Sequence, residues 1–136
     1  MKRVQLYTDG AARGNPGEAG IGILLYDENG ATIDHYCEYI GTATNNVAEY
    51  RALVAGLRLA QKHQPCCVQV FMDSELLVKQ MNGEYRVKNE TLAEYFKTAK
   101  AMIPAFKEIC FAHIPREKNS AADRLANKAI DEKIIL

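Results

Sequence analysis

Four acidic residues stand where their surroundings could bring carboxylates together. Asp9 closes a β-rich run from Arg3, and Asp73 follows a second apolar run, Cys67 to Met72. Glu49 falls just inside an amphipathic segment opened by Thr44-Asn45-Asn46, and Asp123 just inside one opened by Ser120. In open α/β sheets, sites form at the carboxyl ends of parallel strands. If the strands ending at Asp9 and Asp73 are neighbours, their carboxylates emerge side by side, and a helix across that edge delivers Glu49. Carboxylates that close repel strongly, so the cluster implies bound cations. Oxygen donors without histidine or cysteine favour magnesium or manganese over zinc.

Each carboxylate also has a purely structural explanation. Asn46 to Glu49 and Ser120 to Asp123 both fit the spacing of a helix capping box. Asp73 could cap a helix beginning at Ser74, and Asp9-Gly10 could be a turn. Position alone leaves both explanations open.

The elements that must position these groups are readable from periodicity and turn residues. Strands are predicted over 3–9, 19–27 and 31–40, the last two joined as a hairpin across Glu28-Asn29-Gly30. Residues 11–17, rich in Gly, Asn and Pro, read as a loop. Tyr50, Leu53, Val54, Leu57 and Ala60 recur at helical spacing, so a helix runs from Thr44 to about His63. After the 67–72 strand come a short helix from Ser74 to Met81, ended by Asn82-Gly83, and a long helix over about 90–107 that Pro104 kinks. A last strand over 108–114 and a helix from Ser120 complete the order β-β-β-α-β-α-α-β-α. That order predicts an α/β fold with a mixed sheet, its hairpin antiparallel and its later pairs parallel through crossover helices.

Composition bounds the alternatives. The chain has 136 residues, 48% of them apolar and 25% charged. This is the size and composition of one globular domain with a core of its own. Seventeen basic residues cancel seventeen acidic ones, so no whole-protein field attracts a polyanion. A neutral protein can still bind phosphate through local patches. No apolar run approaches the roughly 18 residues of a membrane span. The N-terminus enters strand-like sequence at once, without a signal-peptide apolar region, so a cytoplasmic location is expected. Cys37, Cys66, Cys67 and Cys110 form no Cys-x-x-Cys pair and are expected as small buried apolar residues in a reducing compartment.

Four stretches together resemble the type 1 ribonuclease H family. They are Thr8-Asp9-Gly10 with Gly14-Asn15-Pro16-Gly17, Thr44-Asn45-Asn46 with Glu49, Met72-Asp73-Ser74, and the run from His113 through Pro115-Arg116-Glu117, Asn119 and Ala122-Asp123 to Leu125-Ala126. They occur in family order and spacing across essentially the whole chain. The resemblance implies a ribonuclease H-like fold, a five-stranded mixed sheet flanked by helices, with residues 1–136 as a single catalytic domain. It implies an endonuclease that cuts the RNA strand of RNA/DNA hybrids and leaves 5′-phosphate and 3′-hydroxyl ends. Asp9, Glu49, Asp73 and Asp123 would be the catalytic metal ligands. They would hold two Mg2+ ions, or Mn2+, about 3.5–4 Å apart to activate water and stabilise the departing oxygen. Asn15, Asn45 and Asn46 match positions that contact hybrid sugars and bases in the minor groove. An amide suits that task because it both donates and accepts. Thr44 and Asn89 match positions that hold a DNA-strand phosphate, and for all five of these asparagine and threonine residues the alternative is a cap or turn role. The expected partner is an RNA/DNA hybrid, with no membrane and a monomeric protein.

The chain departs from larger members in several places. Only Gly83 to Asn89 fills the site of their basic insertion, with Arg86 and Lys88 its cations. Affinity for hybrid is therefore expected to be modest and salt-sensitive, and no separate hybrid-binding domain is expected. The loop from Pro115 to Asn119 lacks the histidine that many members carry, and Arg116 would substitute electrostatically. His113 reads as structural. Glu75 stands where glutamine is common, either repelling nucleic acid or joining the metal's outer shell. These departures and the zero net charge keep open a nucleic-acid-binding relative with weak or no cleavage. A nuclease for double-stranded RNA or DNA would share the same carboxylates, although the asparagine set favours the hybrid.

Overall fold

The computed structural model describes residues 2–135, so the terminal residues of the expected domain, Met1 and Leu136, lie outside the described residues. Five strands form one sheet: β1 (Arg3–Gly14), β2 (Gly17–Asp27), β3 (Thr32–Ala43), β4 (Cys67–Met72) and β5 (Glu108–His113), in the order β3-β2-β1-β4-β5. β1–β2 and β2–β3 pair antiparallel, while β1–β4 and β4–β5 pair parallel. The helices are α1 (Asn45–Lys62), α2 (Glu75–Met81), α3 (Glu90–Met102) and α4 (Ser120–Glu132). This is the mixed sheet and element order that the sequence predicts. Among the described residues no helix is long and apolar enough to cross a membrane.

The core lies between the sheet and α1. Val4 and Leu6 of β1, Ile21, Ile23 and Leu25 of β2, and Val68 and Val70 of β4 meet Leu53 and Leu57 of α1, all buried. Alternation along each strand sends these residues to one face. The opposite face of β2 carries Gly20 and Gly22, against which α4 lies. A Cβ at Gly22 would stand 2.1 Å from the Ala122 carbonyl oxygen, and one at Gly20 would stand 2.5 Å from that of Ala126. Small residues on both sides, with Ala122, Ala126 and Ala129 buried on α4, bring backbone against backbone.

Three expectations need correction. Residues 11–17 are not a loop: β1 continues to Gly14 and β2 starts at Gly17, leaving Asn15-Pro16 as the turn of a long hairpin. The turn-forming composition is concentrated in a hairpin tip, and the residues before it stay paired with β2. α3 does not run to 107 with a kink; it stops at Met102, and Pro104 sits in a 3-10 turn over Ile103–Ala105. A proline ring clashes with the carbonyl four residues back, which explains termination here. The cysteines are not buried. Cys37, Cys66 and Cys67 are half-exposed and Cys110 is exposed, all as free thiols.

Candidate active site

Strand register sets the first two carboxylates. β1 and β4 pair from Arg3↔Cys67 to Tyr7↔Phe71. Asp9 and Asp73 each lie two residues past the last pair, so both emerge at the same end of the sheet. Asp9 does not end its strand, as expected from sequence; it sits inside β1, at the point where β4 leaves it. Gly10 then lets α1 close on β1. A Cβ there would stand 2.2 Å from the Ala48 carbonyl carbon, so only hydrogen fits. With α1 pressed this close, the Gly10 backbone N–H donates to Glu49 Oε1.

Asp9, Glu49 and Asp73 each place a carboxylate oxygen within 4.8 Å of the others. Asp123 lines the same cleft of about 330 Å3, together with Asn45, Asn46, Ser74 and Arg116. It stands outside the tight trio, with its Oδ1 accepting from Asn127 Nδ2 at 3.3 Å, yet near enough to Asp9 to raise that group's pKa. The structure thus brings three of the four expected carboxylates into direct proximity and places the fourth at the rim.

The structural explanations for these acids do not survive. Thr44, not Asn46, caps α1, its Oγ1 accepting from Val47 N at 3.2 Å. With Asn45 as the first helical residue, Glu49 is the fifth, beyond the first turn. Ser74, not Asp73, caps α2. Asn119 stands at the start of α4 with no side-chain cap bond, so Ser120 and Asp123 form no capping box. Asp9-Gly10 is strand rather than turn.

Electrostatics show what the cluster lacks. Burial pushes the Asp9 carboxyl far above the usual range, and the charges of Glu49 and Asp73 push it further. Burial also raises Glu49, against the opposing bond from Gly10. Asp73 is raised by burial too, while Arg116 and the Asn119 amide pull it back. Among the described residues Arg116 is the one cation lining the cleft, facing four carboxylates. Such a set of oxygen donors, short of positive charge, fits a hard divalent cation.

The expected substrate contacts divide. Asn45, Asn46 and Arg116 line the cleft. Asn15 sits at the hairpin tip, its Oδ1 accepting from Asn45 N at 3.1 Å, while Asn45 Oδ1 accepts from Ala12 N at 3.2 Å. These two bonds tie the hairpin to the start of α1. Thr44 is a cap beside them. Asn89 caps α3, its Oδ1 accepting from Leu92 N at 3.0 Å, and is not among the cleft-lining residues. Glu75 pairs with Lys79 at 3.0 Å, so its charge is partly offset. His113 ends β5 with its side chain exposed.

Sequence reasoning assigned no role to Asn119. It is 1% exposed, and its Nδ2 donates to the Thr8 carbonyl at 3.0 Å. That bond holds the turn before α4 against β1, next to Asp9. The one signal available was an asparagine three residues before Ala122-Asp123.

Comparison with known proteins identifies relatives of this chain. Residues 7–129 match the family described as reverse transcriptase-like. The bifunctional protein Rv2228c of Mycobacterium tuberculosis is 43% identical over 130 residues, which cover 95% of this chain and 36% of that protein. Ribonuclease HI of Halobacterium salinarum is 38% identical over 130 residues, covering 96% of this chain and 65% of that protein. The chain therefore spans about a third of the first relative and under two thirds of the second. The structure of LC11-RNase H1, isolated from compost and solved in complex with RNA/DNA hybrid, superposes with a TM-score of 0.92 at 47% identity, covering 96% of this chain and 98% of that one. Since the match runs from within β1 into α4 and the fold is shared almost end to end, the chain belongs to the ribonuclease H family, in its type 1 branch.

Proposed function

We propose that residues 1–136 form a catalytic domain that cleaves the RNA strand of RNA/DNA hybrids, leaving 5′-phosphate and 3′-hydroxyl ends. The observation that carries this reading is the trio Asp9, Glu49 and Asp73, with ligand atoms within 4.8 Å of one another at the open end of the sheet. Asp9, Glu49, Asp73 and Asp123 would hold two divalent ions, Mg2+ or Mn2+. When bound, such ions supply Lewis acidity that activates water and stabilises the departing oxygen of an in-line displacement.

The chain's own residues prepare the site for this. The Gly10 N–H fixes one Glu49 oxygen and so orients the other. Arg116 offsets charge on Glu49 and Asp73 and adds a cation where phosphate must come. Asn45 and Asn46 stand at the cleft wall, Asn15 and Thr44 beside them, and all four are assigned to the hybrid. Asn89 is assigned to a DNA-strand phosphate in addition to its cap. Amides and hydroxyls there can test for a 2′-hydroxyl on one strand and tolerate its absence on the other. A monomer in the cytoplasm is the accompanying proposal.

The test is cleavage of an end-labelled RNA/DNA hybrid in Mg2+ and in Mn2+, with duplex RNA and duplex DNA alongside. The expected result is metal-dependent cutting of the hybrid's RNA strand, lost in Asp73→Asn. Retention of hybrid without cutting in either metal, by a folded protein, would replace this reading with that of a binding module. Equal cutting of duplex RNA or DNA would remove the hybrid assignment.

A further inference from the structure

Away from the carboxylate cleft, α1 carries a second feature. Arg51, Arg58 and Lys62 recur at intervals of seven and four residues. At about 100° per residue this places all three within about 40° of one another on the helix surface. They line a groove of about 660 Å3 between α1, β3 and α3, whose other walls include Tyr36 of β3 and Tyr95 of α3. None of the three cations makes an ion pair among the described residues, whereas Arg13, Lys79, Lys97 and Lys133 each do. The groove's one carboxylate, Glu38, accepts from Tyr36 Oη at 2.6 Å. Lys62 also feels Asp34, which is itself paired with His63 at 2.8 Å.

A row of cations without ion-pair partners, facing a groove with tyrosines on its other walls, has the charge pattern that tracks a phosphodiester strand. Arg51 to Lys62 covers eleven residues, about 16 Å of helix axis, long enough to meet successive phosphates of one strand. A protein with zero net charge gains no attraction to polyanions from its overall field, so cations gathered in one groove carry more weight. We infer that the groove between α1, β3 and α3 binds single-stranded nucleic acid through the phosphate contacts of Arg51, Arg58 and Lys62. This contact is separate from the carboxylate site and does not depend on hydrolysis there.

The test is anisotropy of a fluorescein-labelled 20-nucleotide oligodeoxythymidylate with the wild-type chain in Mg2+, titrated across salt. The combined variant Arg51→Gln, Arg58→Gln, Lys62→Gln should weaken binding at least tenfold at low salt. It should also lower the slope of log affinity against log salt by about 2, three contacts at about 0.7 each. Its kcat on a short blunt hybrid should be unchanged. Arg58→Glu alone, at an exposed position, should weaken binding at least fivefold and serves if the combined variant fails to fold. Wild-type binding that these variants leave intact would overturn the assignment. So would polyglutamate binding as tightly as the oligonucleotide, which would make the groove a site for acidic protein segments. Loss of hybrid cleavage with groove binding intact would refute the proposed activity and leave this inference standing.

Discussion

Replacing Asp9 with asparagine should make the metal-free protein more stable and its stability less dependent on pH. Asp9 faces Glu49 and Asp73 with ligand oxygens within 4.8 Å of one another. At an effective dielectric near 20, each fully charged pair at that distance costs about 3.5 kcal/mol. The wild type escapes part of this by retaining protons, because burial raises all three carboxyls and a neighbouring carboxylate adds to each: Glu49 and Asp73 at Asp9, Asp73 at Glu49, and Asp123 at Asp73. Retaining them has its own cost. Carboxyls raised in the folded state leave stability intact below about pH 4, and remove it as pH climbs and the unfolded chain ionises first. Allowing for relaxation and solvent, Asp9→Asn should gain about 2–3 kcal/mol at pH 8 in EDTA. For a chain of this length that is about 7–10 °C in Tm. The assay is calorimetry at low salt in EDTA from pH 4 to pH 8, repeated with Mg2+. The gain should shrink toward zero at pH 4. Mg2+ at a hundredfold over its Kd should return about 2.7 kcal/mol to the wild type and less to the variant. An Asp9→Asn protein no more stable than wild type at pH 8, or a gain independent of pH, would refute the reasoning.

Three further outcomes follow from the packing. Gly22→Ala would set a Cβ 2.1 Å from the Ala122 carbonyl oxygen, forcing α4 outward with Asp123 on it. Tm should fall by about 4–10 °C and hybrid cleavage by about 100-fold, since a misplacement near 1 Å is enough for that loss. Unchanged turnover would show that Asp123 needs no close placement. Asn119→Ala removes the donor to the Thr8 carbonyl and should cost about 1–3 kcal/mol, read as a lower Cm in urea. Asn89→Ala should cost about 1 kcal/mol as a lost cap. Asn89→Asp keeps the cap, so a raised KM for hybrid with unchanged Tm would assign the amide to substrate phosphate, and an unchanged KM would leave it a cap alone.

Much of this architecture is legible from local pattern. α1 and α3 announce themselves by apolar spacing, and β4 by an apolar run closed by Asp73. The parallel pairing of β1 with β4 then puts two acids at one edge. What the sequence hides is what depends on distance between backbones. Gly10 looks like a turn residue and Gly22 like any strand position until α1 and α4 are seen lying against them at distances no Cβ allows. The hairpin through Asn15-Pro16 reads as loop because its tip dominates the composition, although Ala11 to Gly14 stay paired with Gly17 to Gly20. Glu49 and Asp123 imitate capping boxes because spacing does not reveal which residue starts the helix. The cysteines mislead for a related reason. A small apolar side chain is usually buried, but Cys67 and Cys110 lie on strands where alternation sends them to a face open to solvent.

The register of β1 against β4 has a consequence for how the chain reaches its fold. Asp9 and Asp73 come level only because Tyr7 pairs with Phe71. A slip of one residue would turn Asp73 to the other face of the sheet. It would also carry Val68 and Val70 out of the core. Divalent ions held by this trio would bind correctly paired chains and ignore slipped ones, so their stabilisation falls on one register alone. On the proposed reading the cation acts as a proofreader of strand pairing as well as a reagent. Refolding by dilution should then yield more native protein in Mg2+ than in EDTA. Asp73→Asn should narrow that difference.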